Sequence, residues 1–149
     1  MYWSRELIAN LAAANNFKPS HLETPESKSI YESASVYYIA GFFLTVSVDS
    51  LKIVAEHALA NDTTFCLNLS APFITDFFED QAATALEYAD YLFCNESEAA
   101  AYGKKHGFGE DLKEVALKNA ASPKKNAARP HTVISCVEAG HWAARFIIQ

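Results

Sequence analysis

The order of apolar and amphipathic segments along the chain is the feature that most constrains its fold. Four short segments are continuously apolar and rich in β-branched or aromatic residues, as buried strands are. They are SVYYIA (35–40), TTFCLNL (63–69), DYLFC (90–94) and HTVISC (131–136). Segments of helical character separate them. This alternation predicts an α/β fold in which helices cover both faces of a doubly wound parallel sheet.

The helices are predicted from capping residues and apolar spacing. Ser47 can cap a helix in which apolar residues recur at helical intervals and which ends near Asn61. The other predicted helices are 75–88 (opened by Thr75 or Asp76), Asn95 to Gly103 or Gly107, and 110–119. The opening segment RELIANLAAAN (5–15) has the composition of a helix as well.

Two polar stretches, 16–29 and 119–131, each contain two prolines and are predicted to be surface connections. The second stretch also carries Lys124, Lys125 and Arg129. A basic patch near a phosphate ligand is therefore an alternative interpretation of that stretch.

Composition and charge exclude several classes of protein. The 149 residues are enough for one domain, and the net charge of −6 argues against a nucleic-acid partner. No signal peptide is visible, and no apolar run reaches the roughly 20 residues of a membrane span, so no membrane partner is expected. Cys66, Cys94 and Cys136 are isolated and indicate reduced thiols. We expect a cytoplasmic protein and leave the nucleus open as a second location.

The carboxyl ends of parallel strands are where ligands bind in such sheets, so the residues after the predicted strands matter most. Aromatic side chains follow the first two strands, as Phe42 beside Gly41 and Phe73 beside Pro72. Each phenylalanine can be an ordinary core residue. Because both stand at neighbouring strand ends, they can also form a stacking surface for a flat ligand.

Asn95 and Glu98 follow the third strand with the spacing of a capping box, in which both side chains satisfy amides at a helix start. The alternative is functional. A carboxylate at a helix N-terminus and a strand end can organise water around Mg²⁺ beside a nucleotide phosphate. The spacing alone does not decide between the two interpretations.

Other catalytic signatures are absent from the sequence. The five histidines show no metal-binding spacing, and neither a Walker A loop nor G-x-G-x-x-G occurs. None of the cysteines has a histidine partner in sequence that would indicate a nucleophile. Arg5 can be a surface charge or a phosphate clamp.

Several segments together resemble the adenosine kinases of the ribokinase-like (PfkB) family of carbohydrate and nucleoside kinases. They are IANLAAAN, YYIAGFFLTVS, LNLSAPFI and YLFCNESEAAAYG, and the resemblance runs from about Arg5 to about Ser135. The resemblance implies a Rossmann-like, doubly wound α/β domain with a small β lid. It also implies that RELIAN is a strand, in which Leu7 and Ala9 are two residues apart and share a face. We prefer this interpretation to the helix that composition favours, because tertiary context commonly overrides helix propensity.

The resemblance implies an enzyme that transfers a phosphoryl group from ATP to the 5′-hydroxyl of adenosine with Mg²⁺, a reaction of purine salvage. Adenosine and ATP are then the partners. Phe42 would stack on the adenine, and Leu7, Ala9 and Phe73 would line the nucleoside pocket. Arg5 would approach the transferred phosphoryl group. Asn95 and Glu98 match the family's N-x-x-E motif, which positions phosphate and Mg²⁺ through water.

The sequence also departs from that family. Its catalytic base is an Asp in a G-A-G-D motif beside amides that stabilise phosphoryl charge. No G-A-G-D occurs in this chain, whose glycines are Gly41, Gly103, Gly107, Gly109 and Gly140. The family's N-terminal strand with its ribose-binding Asn and Asp, most of the lid and the T-x-G nucleotide loop are also missing, and 136–149 diverges.

We therefore expect residues 1–149 to form a single, partial kinase domain without useful activity alone. The alternative is a non-catalytic adenosine-kinase-like module for binding or regulation. Such a module would associate with itself or with a kinase through exposed sheet edges. A sugar kinase of the same family is a third interpretation, which Phe42 and the SAPF segment disfavour.

Overall fold

The computed structural model describes residues 12–126, 131–138 and 141–148, with side chains as far as Ser135. The helices are α1 (Pro19–Leu22), α2 (Pro25–Glu32), α3 (Val48–Ala60), α4 (Pro72–Phe77), α5 (Glu79–Leu86), α6 (Glu96–Lys105) and α7 (Leu112–Ala120), with 3-10 turns at Ala12–Asn16 and Gly41–Thr45. The strands are β1 (Val36–Ala40), β2 (Thr64–Asn68), β3 (Tyr91–Asn95), β4 (His131–Glu138) and β5 (His141–Ile148).

The five strands form one sheet in the order β1-β2-β3-β4-β5. The first four strands are parallel, and β5 pairs antiparallel with β4 from His131 opposite Ile148 to Glu138 opposite His141. The predicted α/β fold with a parallel sheet is confirmed. The strand β5 was not predicted from the sequence.

The described helices pack on one face of the sheet, whereas the alternation predicted helices on both. Each strand lies beside the strand that precedes it, so every crossover steps in the same direction. Because such crossovers are right-handed, each connecting helix falls on the same face. Alternate strand residues on that face belong to the buried core with the helices; they are Tyr37, Phe65, Leu67, Leu92, Cys94 and Ile134.

The opposite face carries aromatic residues that the described helices leave uncovered. Val36 and Tyr38 are 61% and 58% exposed. The rings of Tyr38 and Phe93 lie 5.8 Å apart, and those of Tyr91 and His131 stack at 4.5 Å. We call these five residues the open sheet face; Val36 and Tyr38 are its exposed members, and Tyr91, Phe93 and His131 are half-buried. Among the described residues, nothing of the predicted second helical layer covers it.

One predicted helix and one predicted surface connection are corrected by the structure. The helix predicted over 75–88 is two helices, since α4 begins at Pro72 and the backbone of Phe78 (φ −125°, ψ 38°) separates it from α5. Proline suits a first helical turn because its φ is already helical and its missing amide hydrogen is not needed there. The predicted surface connection 16–29 contains α1 and most of α2, and the Thr24 hydroxyl at the start of α2 accepts the Ser27 amide hydrogen at 3.3 Å.

The predicted start and end of α3 are confirmed. The Ser47 hydroxyl accepts the Ser50 amide hydrogen at 3.2 Å at the start of α3, and Asn61 follows the end of that helix. None of the helices that the structure describes is both long and apolar enough to cross a membrane.

The two described lysines of the basic stretch, Lys124 and Lys125, lie away from the carboxyl ends of the strands. The Lys124 ammonium donates to the Leu86 carbonyl and the Lys125 ammonium donates to the Tyr88 hydroxyl, both close to where β3 begins. For these two lysines the interpretation as a phosphate-binding patch is therefore wrong. Arg129 and the segment 5–10, with its predicted strand, lie outside the described residues.

Candidate functional site

The carboxyl ends of β1 and β2 are joined by a close contact at Gly41. The Gly41 amide donates to the Ser70 hydroxyl at 2.8 Å. A Cβ atom at Gly41 would lie 2.6 Å from the Asn68 carbonyl oxygen and would also clash with the Leu69 carbonyl oxygen. Only glycine therefore allows the turn after β1 to lie this close to the end of β2.

This contact brings the two predicted stacking residues together. Phe42 follows Gly41 in the turn, and Phe73 lies in the first turn of α4. Their ring centroids are 5.8 Å apart with an angle of 54° between the planes. Phe42 is 43% and Phe73 is 39% exposed, so apolar ring surface faces solvent at the sheet edge. Exposed aromatic rings at such an edge can bind a flat heterocycle by stacking.

The helix start after β3 is a complete capping box. The Asn95 side-chain oxygen accepts the Glu98 amide hydrogen at 2.9 Å, and the Glu98 carboxylate accepts the Asn95 amide hydrogen at 3.0 Å. The Asn95 side-chain amide also donates to the second carboxylate oxygen at 2.9 Å. Glu98 is only 4% exposed. The structural interpretation of this pair is thus confirmed, and the carboxylate is held in one orientation.

An open cleft of about 630 Å³ lies at the carboxyl ends of β2, β3 and β4. We call it the strand-end cleft, and its charged and polar lining residues are Asn68, Ser70, Asn95, Glu96, Ser97, Glu98 and Ser135. α6 begins at this cleft, and the Asn95 side chain already accepts the Glu98 amide hydrogen of its first turn. A helix N-terminus of this kind attracts phosphate groups.

The predicted Mg²⁺ role can be tested against the donor set. In the described part of the chain, no group of three or more His, Cys, Asp or Glu side chains is arranged to hold a metal ion. Each Glu98 carboxylate oxygen already accepts one hydrogen bond, which leaves further lone pairs on both oxygens. The residues present therefore fit a contact to Mg²⁺ through water better than direct ligation, and this contact stays a prediction.

Two residues with shifted pKa values lie outside the cleft lining. Burial raises the pKa of Tyr102, on α6, to about 12. Burial and the nearby Asp90 raise the pKa of the Cys66 thiol. A raised thiol pKa lowers the thiolate fraction, so Cys66 has the properties of an inert, buried cysteine.

Some of the predicted site residues lie together in the structure, and their roles in binding stay predictions. The structure brings Phe42 next to Phe73 and Asn95 next to Glu98. Arg5, Leu7 and Ala9 lie outside the described residues, so their predicted roles stay untested. The role of Ser70 as the link between strand ends was missed. Asn68 two residues before Ser70 is the spacing of an Asx-turn, which would have signalled a turn but not this contact.

Residues 4–145 match the family described as pfkB family carbohydrate kinase. Among curated relatives, adenosine kinase 1 of Arabidopsis thaliana is 47% identical over 131 residues, which are 87% of this chain and 38% of the relative. The adenosine kinase of Dictyostelium discoideum is 48% identical over 130 residues, with the same two coverages. The chain thus spans well under half the length of these relatives.

The chain is also similar to part of several solved adenosine kinase structures. Anopheles gambiae adenosine kinase in complex with P1,P4-di(adenosine-5) tetraphosphate superposes with a TM-score of 0.81 and 36% identity, covering 91% of this chain and 43% of that one. Adenosine kinase from Schistosoma mansoni in complex with 2-fluoroadenosine gives a TM-score of 0.78 and 32% identity, over 92% and 44% of the two chains. The described fold therefore matches part of the fold of these kinases.

Proposed function

The chain belongs to the pfkB family of carbohydrate kinases, and on that premise we propose that its strand-end edge binds adenosine and the phosphates of ATP. The family is enzymatic, and the relatives named above are adenosine kinases. In the proposed reaction the γ-phosphoryl group of ATP moves to the 5′-hydroxyl of adenosine, which gives AMP and ADP. This chain supplies the adenine-binding wall and the phosphate-facing helix start.

The single observation that carries the proposal is the exposed ring pair of Phe42 and Phe73. Two half-exposed rings 5.8 Å apart at the end of a parallel sheet offer apolar surface to a flat base. The strand-end cleft, with Asn95 and Glu98 at the start of α6, lies at the same edge. A ligand with a flat base at one end and phosphate at the other matches this order of apolar and polar groups.

The 149-residue polypeptide is proposed to bind without transferring the phosphoryl group on its own. The sequence contains no G-A-G-D segment, and therefore neither the expected base nor the adjacent amides. A general base contributes roughly 10²–10⁴-fold to a rate. Amides that stabilise developing charge contribute about 10²–10³-fold more, by analogy with oxyanion donors. Without both contributions, the rate of phosphoryl transfer by this chain is expected to be too low for a useful kinase.

Calorimetric titration with adenosine tests the proposed binding site. Because a stacked base is worth about 1–3 kcal/mol, Phe42→Leu should weaken adenosine binding by at least about five-fold. Phe77→Leu is the matched control, since Phe77 lies on the same helix as Phe73 but is 79% exposed. Equal affinities for the wild-type chain and Phe42→Leu, or no adenosine binding by a folded wild-type chain, would contradict the proposal.

A second candidate function rests on the open sheet face. It consists of one valine and four aromatic residues, and Val36 and Tyr38 on β1 are more than half exposed. β1 is also an edge strand of the described sheet, whose outer backbone groups can pair with another chain. We propose as the alternative function a non-catalytic module that associates with another copy of itself or with a kinase.

A further inference from the structure

We propose that Ser70 is a positioning residue that sets the separation of the Phe42 and Phe73 rings. The proposal rests on the function proposed above, because the consequence of that separation is adenosine affinity. The proposed role requires no contact between the Ser70 side chain and either ring. It acts through the backbone of the turn after β1, which its hydroxyl holds against the end of β2.

Two hydrogen bonds place Ser70 between the strand ends. Its hydroxyl accepts the Gly41 amide hydrogen at 2.8 Å, across 29 residues of sequence. Its own amide donates to the Asn68 side-chain oxygen at 2.6 Å. Asn68 is the last residue of β2, so the position of the Ser70 hydroxyl is fixed relative to the sheet.

The backbone at Ser70 is in an unusual conformation. Its φ is +65°, in the left-handed region that non-glycine residues seldom adopt. The Ala71 amide donates to the Leu69 carbonyl at 2.8 Å, a hydrogen bond that spans Ser70 alone. A three-residue turn with positive φ is rare and strained. Such strain persists only where the surrounding structure determines it, and it tends to occur at ligand-binding sites.

The position of Phe42 depends directly on this link. Phe42 is the residue after Gly41, and the Gly41 backbone already lies against the Asn68 and Leu69 carbonyl groups. Phe73 lies three residues after Ser70, in the first turn of α4. The hydrogen bond from the Gly41 amide to the Ser70 hydroxyl therefore joins the turn that carries Phe42 to the segment that leads into Phe73. Without that bond, the turn that carries Phe42 can move away from α4.

The test combines ring-proton NMR of the free chain with calorimetric adenosine titration. Ser70→Ala removes the hydroxyl. Ser70→Gly also removes it but relieves the positive φ, so it keeps the test available if Ser70→Ala fails to fold. Ser122→Ala is the matched control, because the Ser122 hydroxyl likewise makes one hydrogen bond to a backbone group, the Lys118 carbonyl at 2.9 Å.

We expect both Ser70 variants to change the Phe42 and Phe73 ring-proton shifts and to weaken adenosine binding by about five-fold, as the loss of one ordinary hydrogen bond would. Ser122→Ala should do neither. In a Phe42→Leu background, Ser70→Ala should cause little further loss, because its effect passes through Phe42. A purely structural role would weaken binding equally in both backgrounds.

Two results would overturn the proposal. The first is unchanged ring-proton shifts of Phe42 in a folded Ser70 variant. The second is an affinity loss that is the same with and without Phe42. If the wild-type chain binds no adenosine, the proposed function fails, while the ring-proton shifts still decide the role of Ser70.

Discussion

At the scale of single residues, sequence pattern identified side chains but not their long-range contacts. Phe42, Phe73, Asn95 and Glu98 were selected because each follows a predicted parallel strand. The link from Ser70 to Gly41 joins residues 29 positions apart, and no local pattern encodes it. The positive φ of Ser70 is equally invisible in sequence, because serine normally avoids that region. The proximity of Phe42 to Phe73 was therefore predictable, whereas the hydrogen bond between Gly41 and Ser70 was not.

Lys124 gives a pH-dependent prediction at the same scale. Burial lowers its pKa from 10.5 to about 8 in the folded chain, while its ammonium donates to the Leu86 carbonyl. The unfolded chain therefore holds the proton more tightly than the folded chain between pH 8 and 10.5. The free energy of unfolding should rise with pH across that window, and below pH 8 the cost of burying the charge is fully present.

Urea unfolding of the wild-type chain and Lys124→Met at pH 7 and pH 10 measures this effect. The comparison cancels the titration of groups that the two chains share. We expect the wild-type chain to gain stability relative to Lys124→Met as the pH is raised. A difference in unfolding free energy that is the same at both pH values would show that Lys124 is not desolvated in the folded chain.

At the scale of elements, two helix starts with capping side chains were predictable, whereas the break within 75–88 was not. The caps at Ser47 and Asn95 were predicted from side chains that satisfy nearby amides. The break at Phe78 was missed because the segment 75–88 is compatible with one continuous helix. The second helical layer was expected from alternation alone, but the order of strands, which is a tertiary property, places the described helices on one face.

Substitution of two capping residues on different helices can distinguish an effect on helix stability from an effect on ligand binding. The Asn95 side chain accepts the Glu98 amide hydrogen, and the Asp111 side chain accepts the Glu114 amide hydrogen, both at 2.9 Å. Asn95→Ala and Asp111→Ala should each lower the free energy of unfolding by about 1 kcal/mol, as lost caps usually do. Only Asn95→Ala should also weaken Mg-ATP binding, because Asn95 lines the strand-end cleft.

Chemical denaturation and Mg-ATP titration of the two variants check this prediction. Asp111 is an apt control, since it caps α7 and is not among the residues that line the cleft. If both variants bind Mg-ATP as the wild-type chain does, the capping box has a structural role only. If both lose affinity equally, the loss reflects helix stability and not phosphate contact.

At the scale of the whole molecule, the described chain has a covered face and an open one. Exposed apolar surface of this kind commonly marks an interaction site. The chain also spans 38% of the length of the curated relatives it resembles. The parallel sheet could be predicted from sequence because four apolar segments encode it locally. The open sheet face could not, because the alternation was interpreted with helices on both sides.

The open sheet face should make the chain associate as its concentration rises. Tyr38→Lys places a charge on that face and should reduce association in sedimentation-velocity experiments. Ile30→Lys is the control, because Ile30 is 66% exposed but lies on α2. A wild-type chain that stays monomeric at every concentration, or an equal effect of the two substitutions, would argue against association through this face.

The most direct test of the central claim is equilibrium dialysis of the folded 149-residue chain against labelled adenosine and Mg-ATP, followed by chromatography of the bound and free label. We expect the chain to retain adenosine and the label to remain adenosine, because the strand-end edge is proposed to bind without the base of the G-A-G-D motif. Formation of AMP at a rate that falls in Glu98→Ala would contradict it, as would a folded chain that retains no adenosine.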